Sequence, residues 1–265
     1  AQSLYTPDSA LFVEYAKVMT EQNNYTYGTG DQTVGYIVNG DSDDWQYGEQ
    51  TTKDKALSFT PEAGDNDDGF WPTSSRIIPI SKSNLRQNLN YAHLAGKYAR
   101  VEDKSPTTLS NITSYIDFEI KRLGLDSPAT FTVNLIPISP QISSVGGPVV
   151  FSGMSLLETR IDSISLDLIA GINDGDQIKF LLNIDNGSFV VSDTITKTYG
   201  TGITVFNDNA NSITNWTSSG NWGLTTEDYH SAPSSFTDSP GGDHGNSVTS
   251  SLFLNDTIDL TNAVS

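Results

Sequence analysis

The chain has 265 residues, with 32 acidic and 14 basic side chains and a formal net charge of -18. This charge argues against nucleic acid as a partner and against docking on anionic lipid, because both need clustered Lys and Arg. There is no cysteine, so disulfides, thiolate zinc sites and cysteine nucleophiles are excluded. No apolar run approaches the roughly 20 residues of a membrane helix, so we expect no membrane insertion. The oligomeric state stays open.

Helix-forming patterns are confined to the first hundred residues. Thr6-Pro7-Asp8 precedes apolar residues at helical spacing and predicts a helix over residues 8–22. A second helix is predicted after Ser83, with one apolar stripe formed by Leu85, Leu89, Ala92, Ala95 and Ala99. Short apolar runs at residues 34–38 and 56–60 predict two strands between these helices. The order helix, strand, strand, helix is typical of an α/β fold.

After residue 104 the pattern changes to short strands separated by turn-forming residues. Five strands are predicted, at residues 115–120, 130–136, 149–151, 163–169 and 177–184. Asp185-Asn186-Gly187 predicts a hairpin turn, because Asn-Gly tolerates the positive φ of a type I′ turn. This spacing of strands favours an all-β sandwich domain over residues 105–204.

Beyond about Phe206 the chain is rich in Asn, Ser, Thr, Gly and Asp, and only Ser251–Leu254 reads as a clear strand. About 60 polar residues with so few strands make a poor domain, so we interpret residues 205–265 as the truncated start of a β domain. The residues around Trp222 and Tyr229 resemble the start of jelly-roll adhesion modules of secreted bacterial peptidases. Asp238 or Asp243 is a candidate calcium ligand there.

Residues 35–72 are the segment richest in candidate functional groups. The first predicted strand ends in an acidic loop with Asp41, Asp43 and Asp44, and the second delivers Glu62 at its end. Ligands of α/β folds bind where strands end. Four aromatic side chains are predicted to wall such a crevice and to desolvate Glu62: Tyr36, Trp45, Phe70 and Trp71. Taken by itself, a glutamate at a strand end is more often solvated surface than catalytic.

The order of motifs in this segment resembles a known family. The chain reads Tyr-x-x-x-Gly-x-x-x-Asp-Trp from Tyr36, then Phe-Thr-x-Glu ending at Glu62, then Gly-Phe ending at Phe70. This resembles the C-terminal part of the zinc carboxypeptidases, most of all their secreted bacterial members, over roughly residues 1–100. The resemblance implies an extracellular hydrolase of partial α/β/α fold, with zinc as cofactor and the C-termini of peptides or proteins as substrates.

The resemblance also implies a role for each matching residue. Glu62 matches the catalytic glutamate, which activates the zinc-bound water as general base and then protonates the leaving amine. Tyr36 matches the mobile tyrosine that closes over the substrate. Asp43 matches the floor of the pocket for the C-terminal side chain, and Asp41 faces that pocket in some bacterial relatives, which favours Lys or Arg there. Phe70 matches an aromatic residue that lines the cleft.

The zinc-binding motif of the family, His-x-x-Glu with a distant His, is missing. The three histidines are His93, His230 and His244, and none is followed three residues later by Glu. We expect His93 at a helix surface or interface and the other two in structural positions. The metal ligands are therefore expected N-terminal to residue 1. Residues 1–104 would then be the C-terminal half of the catalytic domain, and this fragment would be inactive by itself.

The sequence leaves a second class of function open. A degenerate peptidase fold joined to β modules would suit a non-catalytic secreted binding or adhesion protein, with Trp216 and Trp222 as surfaces on which carbohydrate stacks. The two interpretations share one architecture. It is multidomain, with a partial α/β carboxypeptidase-like segment, an all-β sandwich and a truncated jelly-roll-like segment.

Overall fold

The computed structural model describes residues 6–65, 67–202, 205–230 and 233–259. The predicted outer limits of the chain's domains, at residues 1 and 265, lie outside these ranges. The described residues are mostly β structure in several sheets, with four helices. They form two compact units: one runs to Thr107 and includes Ile112–Gly171 and Ile178–Lys197, and the other contains Thr108–Asn111, Ile172–Gln177 and the described chain from Thr198 onward.

The four helices all lie before residue 96. They are α1 (Ser9–Thr20), α2 (Gly30–Thr33), α3 (Ser42–Gly48) and α4 (Ser74–Ala95). Helix α1 confirms the first predicted helix, and α4 begins well before its predicted start. None of the described helices is both long and apolar enough to cross a membrane.

Helix α4 buries a polar face and exposes an apolar one. Gln87 and Asn90 are buried, and the Asn90 amide donates a hydrogen bond to the Val18 carbonyl of α1 at 2.7 Å. Leu85 and Leu89, from the predicted apolar stripe, are 58% and 46% exposed. Helix α4 meets α1 through hydrogen bonds as well as through apolar side chains, so these two residues of the stripe are not covered.

The two strands predicted between the helices are wrong. In the first of these runs Val34 and Gly35 close the end of α2, where both amides donate to the Gly30 carbonyl and Gly35 has φ +80°. In the second run the Ala56 amide donates to the Gln46 carbonyl, and the Leu57 carbonyl accepts from the Tyr91 hydroxyl. A β-ladder needs a neighbouring backbone, and these backbone groups bond elsewhere. The α/β fold is therefore not confirmed in the described residues.

Nine strands form a two-sheet region after the helices. Their bounds are β1 (Ala99–Asp103), β2 (Thr108–Leu109), β3 (Thr113–Arg122), β4 (Thr130–Pro137), β5 (Ile142–Val145), β6 (Val149–Ser152), β7 (Thr159–Leu168), β8 (Gln177–Asp185) and β9 (Val190–Tyr199). One sheet has the order β1-β3-β7-β5, and the other has the order β2-β9-β8-β4-β6. All five strands predicted in this region are confirmed within a few residues at their ends.

Alternating side chains of the two sheets form the main core. Strand β3 buries Ile116, Phe118 and Ile120 completely, while the residues between them are partly or fully exposed. The Phe118 ring packs edge-on against Phe151 of the other sheet, with the ring centroids 6.1 Å apart. This alternation is what a strand with one buried face requires, and it is the reason the strands were predictable.

The hairpin predicted at Asp185-Asn186-Gly187 connects β8 to β9. A type I′ turn needs a positive φ at both of its central residues. Here Gly187 has a φ of +83° but Asn186 does not have a positive φ, so the turn is not type I′. The Asn186 side chain instead accepts hydrogen bonds from the Ser188 and Phe189 amides, both at 2.9 Å. Asn186 therefore stabilises the turn through the hydrogen bonds of its side chain and not by adopting a left-handed backbone conformation.

The helices pack on the two-sheet region. The buried Tyr15 of α1 donates its hydroxyl to the Leu123 carbonyl at 2.5 Å, and the Leu125 amide donates to the Leu94 carbonyl of α4 at 2.9 Å. Burial raises the pKa of Tyr15 to about 12. A shared apolar cluster surrounds these bonds, made of Leu11, Tyr15, Val18, Met19, Leu57, Leu94, Tyr98 and Leu123. Strand β1 pairs with β3, so the sheet begins before the predicted domain limit at residue 104.

Beyond β9, four further short strands lie in the second unit: β10 (Trp216–Ser219), β11 (Gly223–Thr225), β12 (Ser235–Thr237) and β13 (Ser251–Leu254). Strand β10 pairs with β13, and β11 pairs with β12, both antiparallel. Strand β13 confirms the strand predicted there.

Leu94 tests the packing of the helices on the sheets. Its side chain is 1% exposed, so Leu94→Ala should lower the free energy of unfolding of the first unit by about 2–5 kcal/mol. Leu85→Ala on the exposed face of the same helix is the matched control and should change it by no more than about 0.5 kcal/mol. Urea unfolding followed by tryptophan fluorescence measures both. Equal effects of the two substitutions would contradict the packing described above.

Candidate functional site

The aspartates of the predicted acidic loop lie on helix α3 and at its start. Asp41 is the N-cap residue of α3, and its carboxylate accepts a hydrogen bond from the Asp44 amide at 2.9 Å. The Asp44 carboxylate in turn accepts from the Gly40 amide at 2.6 Å. Carboxylates at a helix N-terminus satisfy amides that have no partner within the helix. In this chain Asp41 therefore stabilises the start of α3.

Asp43 bonds α3 to the loop that carries Glu62. One carboxylate oxygen accepts from the Ser58 hydroxyl and the other from the Thr60 hydroxyl, both at 2.6 Å. The Tyr91 hydroxyl of α4 donates to the Leu57 carbonyl in the same loop at 2.5 Å. Burial, followed by the nearby Asp43 charge, raises the pKa of Tyr91. The loop is thus fixed from both sides, by α3 and by α4.

An aromatic cluster lies beneath this loop, and the sequence interpretation missed it. The Phe12 ring of α1 contacts Tyr47 of α3 and Phe59 of the loop, with ring centroids 5.5 and 5.2 Å apart. Phe59 also packs edge-on against Tyr91, at 5.9 Å. Such contacts stabilise by about 0.5–1.5 kcal/mol each beyond the area they bury. A signal was available, because Tyr47 lies four residues after Asp43 and Phe59 lies three residues before Glu62.

Glu62 follows this anchored loop and is exposed. Within the described part of the chain, no hydrogen bond or ion pair to its carboxylate is present. Asp41 and Asp43, in contrast, already bond to neighbouring groups. Glu62 is therefore the acidic residue of this set whose carboxylate has no hydrogen-bond or ion-pair partner among the described residues.

The aromatic residues predicted to wall a crevice are exposed. Tyr36 and Trp45 are 56% and 58% exposed, and Phe70 and Trp71 are almost completely so. The Lys53 ammonium lies over the Trp45 ring, 5.1 Å from its centroid. In this chain the four rings do not enclose Glu62, but Tyr36 and Phe70 present open surfaces on the same segment.

A second acidic network anchors the loop that follows Glu62. Arg76 of α4 donates two hydrogen bonds to the buried Asp68 carboxylate, at 2.6 and 2.8 Å, and one to Asp65 at 3.0 Å. The Arg76 guanidinium lowers the pKa of Asp68 to about 2. The Tyr25 hydroxyl accepts from the Gly64 amide at 2.8 Å. Bidentate pairing of this kind fixes orientation as well as charge, so this loop too is held against α4.

Residues 9–87 match the zinc carboxypeptidase family. The matched segment contains every residue predicted for the peptidase site, and the match confirms the resemblance seen in the sequence. It identifies a partial carboxypeptidase-like domain within the first unit. No curated protein matches the chain.

Among solved structures, the CsuC–CsuE chaperone–tip adhesion subunit pre-assembly complex, from the archaic chaperone-usher Csu pili of Acinetobacter baumannii, matches with 11% sequence identity and a TM-score of 0.25. The match covers 42% of this chain and 61% of that one, so less than two thirds of that chain is spanned. Similarity at this level supports no statement about fold or function.

The described residues of the chain do not fit a zinc ion. They contain no group of three His, Cys, Asp or Glu side chains close enough to hold a metal. His93, the histidine of the first unit, stacks on Tyr98 and contacts Phe189, with ring centroids 5.4 and 4.9 Å away, as expected of an interface residue. His244 and the exposed His230 lie in the second unit.

Calcium is not supported in the second unit. The Asp238 carboxylate lies 3.1 Å from His244 Nε2 and accepts a hydrogen bond from the Ser250 hydroxyl at 3.3 Å. Calcium needs six to eight oxygen ligands, and the described residues bring no third carboxylate or His to this pair.

Trp216 is not an open stacking surface, because it packs against Phe206 and Phe236.

The Asp68–Arg76 pair predicts how the stability of the carboxypeptidase-like segment depends on pH. The folded-state pKa of Asp68, about 2, lies below its ordinary value. Its contribution is therefore present above about pH 4 and is lost as the pH falls from about 4 to 2. Asp68→Asn should lower the free energy of unfolding at pH 6 and flatten its dependence on pH below 4. Urea unfolding at a series of pH values measures both effects.

Asp54→Asn is the matched control for this pair, because Asp54 is exposed. It should leave the slope below pH 4 close to that of the unsubstituted protein. If Asp68→Asn retained the full acid-dependent loss of stability, the pair would not be its source.

Proposed function

We propose that residues 9–87 belong to a secreted zinc-dependent metallocarboxypeptidase that releases C-terminal residues from peptides or proteins. The single observation that carries this proposal is the family match over residues 9–87. The matched residues include Glu62, which follows a fixed loop and whose carboxylate has no partner among the described residues. The proposal places the zinc ligands in polypeptide N-terminal to Ala1. The chain by itself is then inactive, because its described residues contain no site for the metal.

In this proposal Glu62 is the general base and later the general acid of peptide hydrolysis. The anchoring of residues 57–60 supports such a role, since a catalytic carboxylate must be held to within about 0.5 Å of its productive position. Tyr36 and Phe70 would contact the bound peptide, and their exposure leaves them free to do so. The zinc ion would polarise the scissile carbonyl when bound.

Asp43 is the proposed determinant of a preference for C-terminal Lys or Arg. Its carboxylate lies half-buried between the Ser58 and Thr60 hydroxyls, which both donate hydrogen bonds to it. A carboxylate held in this way attracts a cationic side chain. Asp41, turned toward the start of α3, would reinforce this preference through its charge at longer range.

The exposed apolar surface of the segment supports a larger catalytic domain. Ile77 and Ile78 of α4 are 52% and 60% exposed, next to the exposed Leu85 and Leu89 of the same helix. Exposed apolar patches of this kind mark surfaces that pack against other polypeptide. In the proposed enzyme, the part of the domain that carries the zinc ligands covers this surface.

A second candidate function is that of a non-catalytic secreted binding or adhesion protein, which the sequence leaves open. The two functions differ in what precedes Ala1 in the gene. A His-x-x-Glu motif followed by a later His supports the peptidase, whereas an open reading frame without them supports the binding protein.

The decisive activity test uses the complete gene product, expressed from its own start codon and supplied with zinc. It should release C-terminal Arg from a peptide, and Glu62→Gln should lower kcat/KM by about 10²-fold to 10⁴-fold, because the general base is lost. Glu227→Gln, at an exposed glutamate of the second unit, is the control and should retain full activity. The 265-residue chain with zinc should show no turnover. Turnover by this chain would disprove the proposed position of the zinc ligands.

The specificity test compares C-terminal Arg with C-terminal Leu substrates in the same gene product. Asp43→Asn should lower the ratio of the two kcat/KM values by about 10-fold to 100-fold, since one charge-assisted interaction is lost. Asp54→Asn again provides the control. An unchanged ratio in the Asp43 variant would show that another residue determines the preference.

A further inference from the structure

A buried lysine in the two-sheet region has no part in the proposed peptidase chemistry. Among the lysines that the structure describes, Lys197 alone is buried, with a side chain that is 2% exposed. It lies near the end of β9, and its ammonium pairs with the carboxylate of Asp103, the last residue of β1. The Asp103 side chain is 15% exposed. These two strands belong to different sheets, so this pair connects one sheet to the other.

Ser105 holds both partners in a fixed arrangement. Its carbonyl accepts a hydrogen bond from Lys197 Nζ at 3.0 Å, which orients the amine. Its amide donates to Asp103 Oδ1 at 3.1 Å, and its hydroxyl donates to the same oxygen. The two carboxylate oxygens therefore differ: Oδ1 accepts from two fixed donors, and Oδ2 accepts from the amine.

This arrangement suits attack of the amine on the carboxyl carbon. Burial of two opposite charges carries a desolvation penalty that their attraction repays only in part. Transfer of one proton from Nζ to Oδ2 along their hydrogen bond neutralises both groups. The two donors on Oδ1 lie where negative charge develops on attack, as in an oxyanion hole. Fixed contact between amine and carboxyl also removes most of the entropic barrier.

We propose that Lys197 and Asp103 condense to form an intramolecular amide bond. The bond forms between Lys197 Nζ and Asp103 Cγ, and the bond between Cγ and Oδ2 breaks. Oδ2 leaves as water, and both of its protons come from the ammonium nitrogen. Ammonium and carboxylate thus become one neutral amide and one water molecule, and no oxidant or other reactant is consumed.

The amide would link the two sheets covalently in a protein that has no cysteine. It would close a loop from the end of β1 to the end of β9 and so enclose the strands between them. Cross-links that close long loops stabilise mainly by restricting the unfolded chain. The expected result is a two-sheet region that does not fully separate in denaturant.

Intact-mass spectrometry of the purified 265-residue chain tests the proposal. The chain is purified under denaturing conditions, refolded and sampled over time. Whether the amide forms during expression or on refolding, the folded chain should have a mass one water molecule below that of the unmodified sequence. A tryptic digest should then yield one branched peptide that joins the segments containing Asp103 and Lys197. A folded protein that keeps its full mass, with cleavage after Lys197, would overturn the proposal and leave an ion pair only.

Variants separate the amide from general folding effects. Lys197→Met should keep the full mass, whereas Lys179→Met, at an exposed lysine of β8, should still lose water. Ser105→Ala removes one of the two donors on Oδ1 and should slow the loss of water by about tenfold or more. A structural role of Ser105 would change stability and not this rate. Should Lys197→Met fail to fold, the mass of the unsubstituted protein still decides the question.

Discussion

The structure of the first unit depends on one constraint: the helices have no sheet of their own among the described residues. Short isolated helices are marginal in water, so α1 and α4 need apolar surface from elsewhere, and the two-sheet region provides it. The Tyr15 hydroxyl and the Leu94 carbonyl bond directly to the chain segment that follows β3. The position of the candidate site depends on this packing, because its loop rests on Phe12 of α1 and Tyr91 of α4.

The two faces of helix α4 make different kinds of interaction. The face toward α1 uses amide side chains as well as Leu94, and the buried Asn90 satisfies the Val18 carbonyl there. A buried polar contact of this kind is favourable only while both partners remain bonded, which makes its geometry specific. The apolar face is left exposed at Ile78 and Leu85. Helix α4 therefore has side chains suited to packing on both faces, and the described chain covers one of these faces.

Local sequence patterns predicted the elements in which burial alternates along the chain. The strands of the two-sheet region alternate in burial, as at Ile116 and Phe118, and this alternation is visible in the sequence. The stripe on α4 was visible as well, but which side of it is covered depends on other elements. Glu62 was found through its motif. The bonds of Asp43 to Ser58 and Thr60 were not, because they join residues 15 and 17 positions apart in a loop without periodicity.

The cations of this acidic chain connect segments that are far apart in sequence. Lys121 pairs with Glu14, Arg100 with Glu21, and Lys197 with Asp103. Exposed pairs contribute little to stability, and their value lies in fixing which surfaces meet. Since acidic side chains outnumber basic ones by 32 to 14, the chain carries a large excess of negative charge. A surface of this charge attracts cationic peptides over several ångströms of solvent, which suits the C-terminal Lys or Arg that Asp43 is proposed to bind.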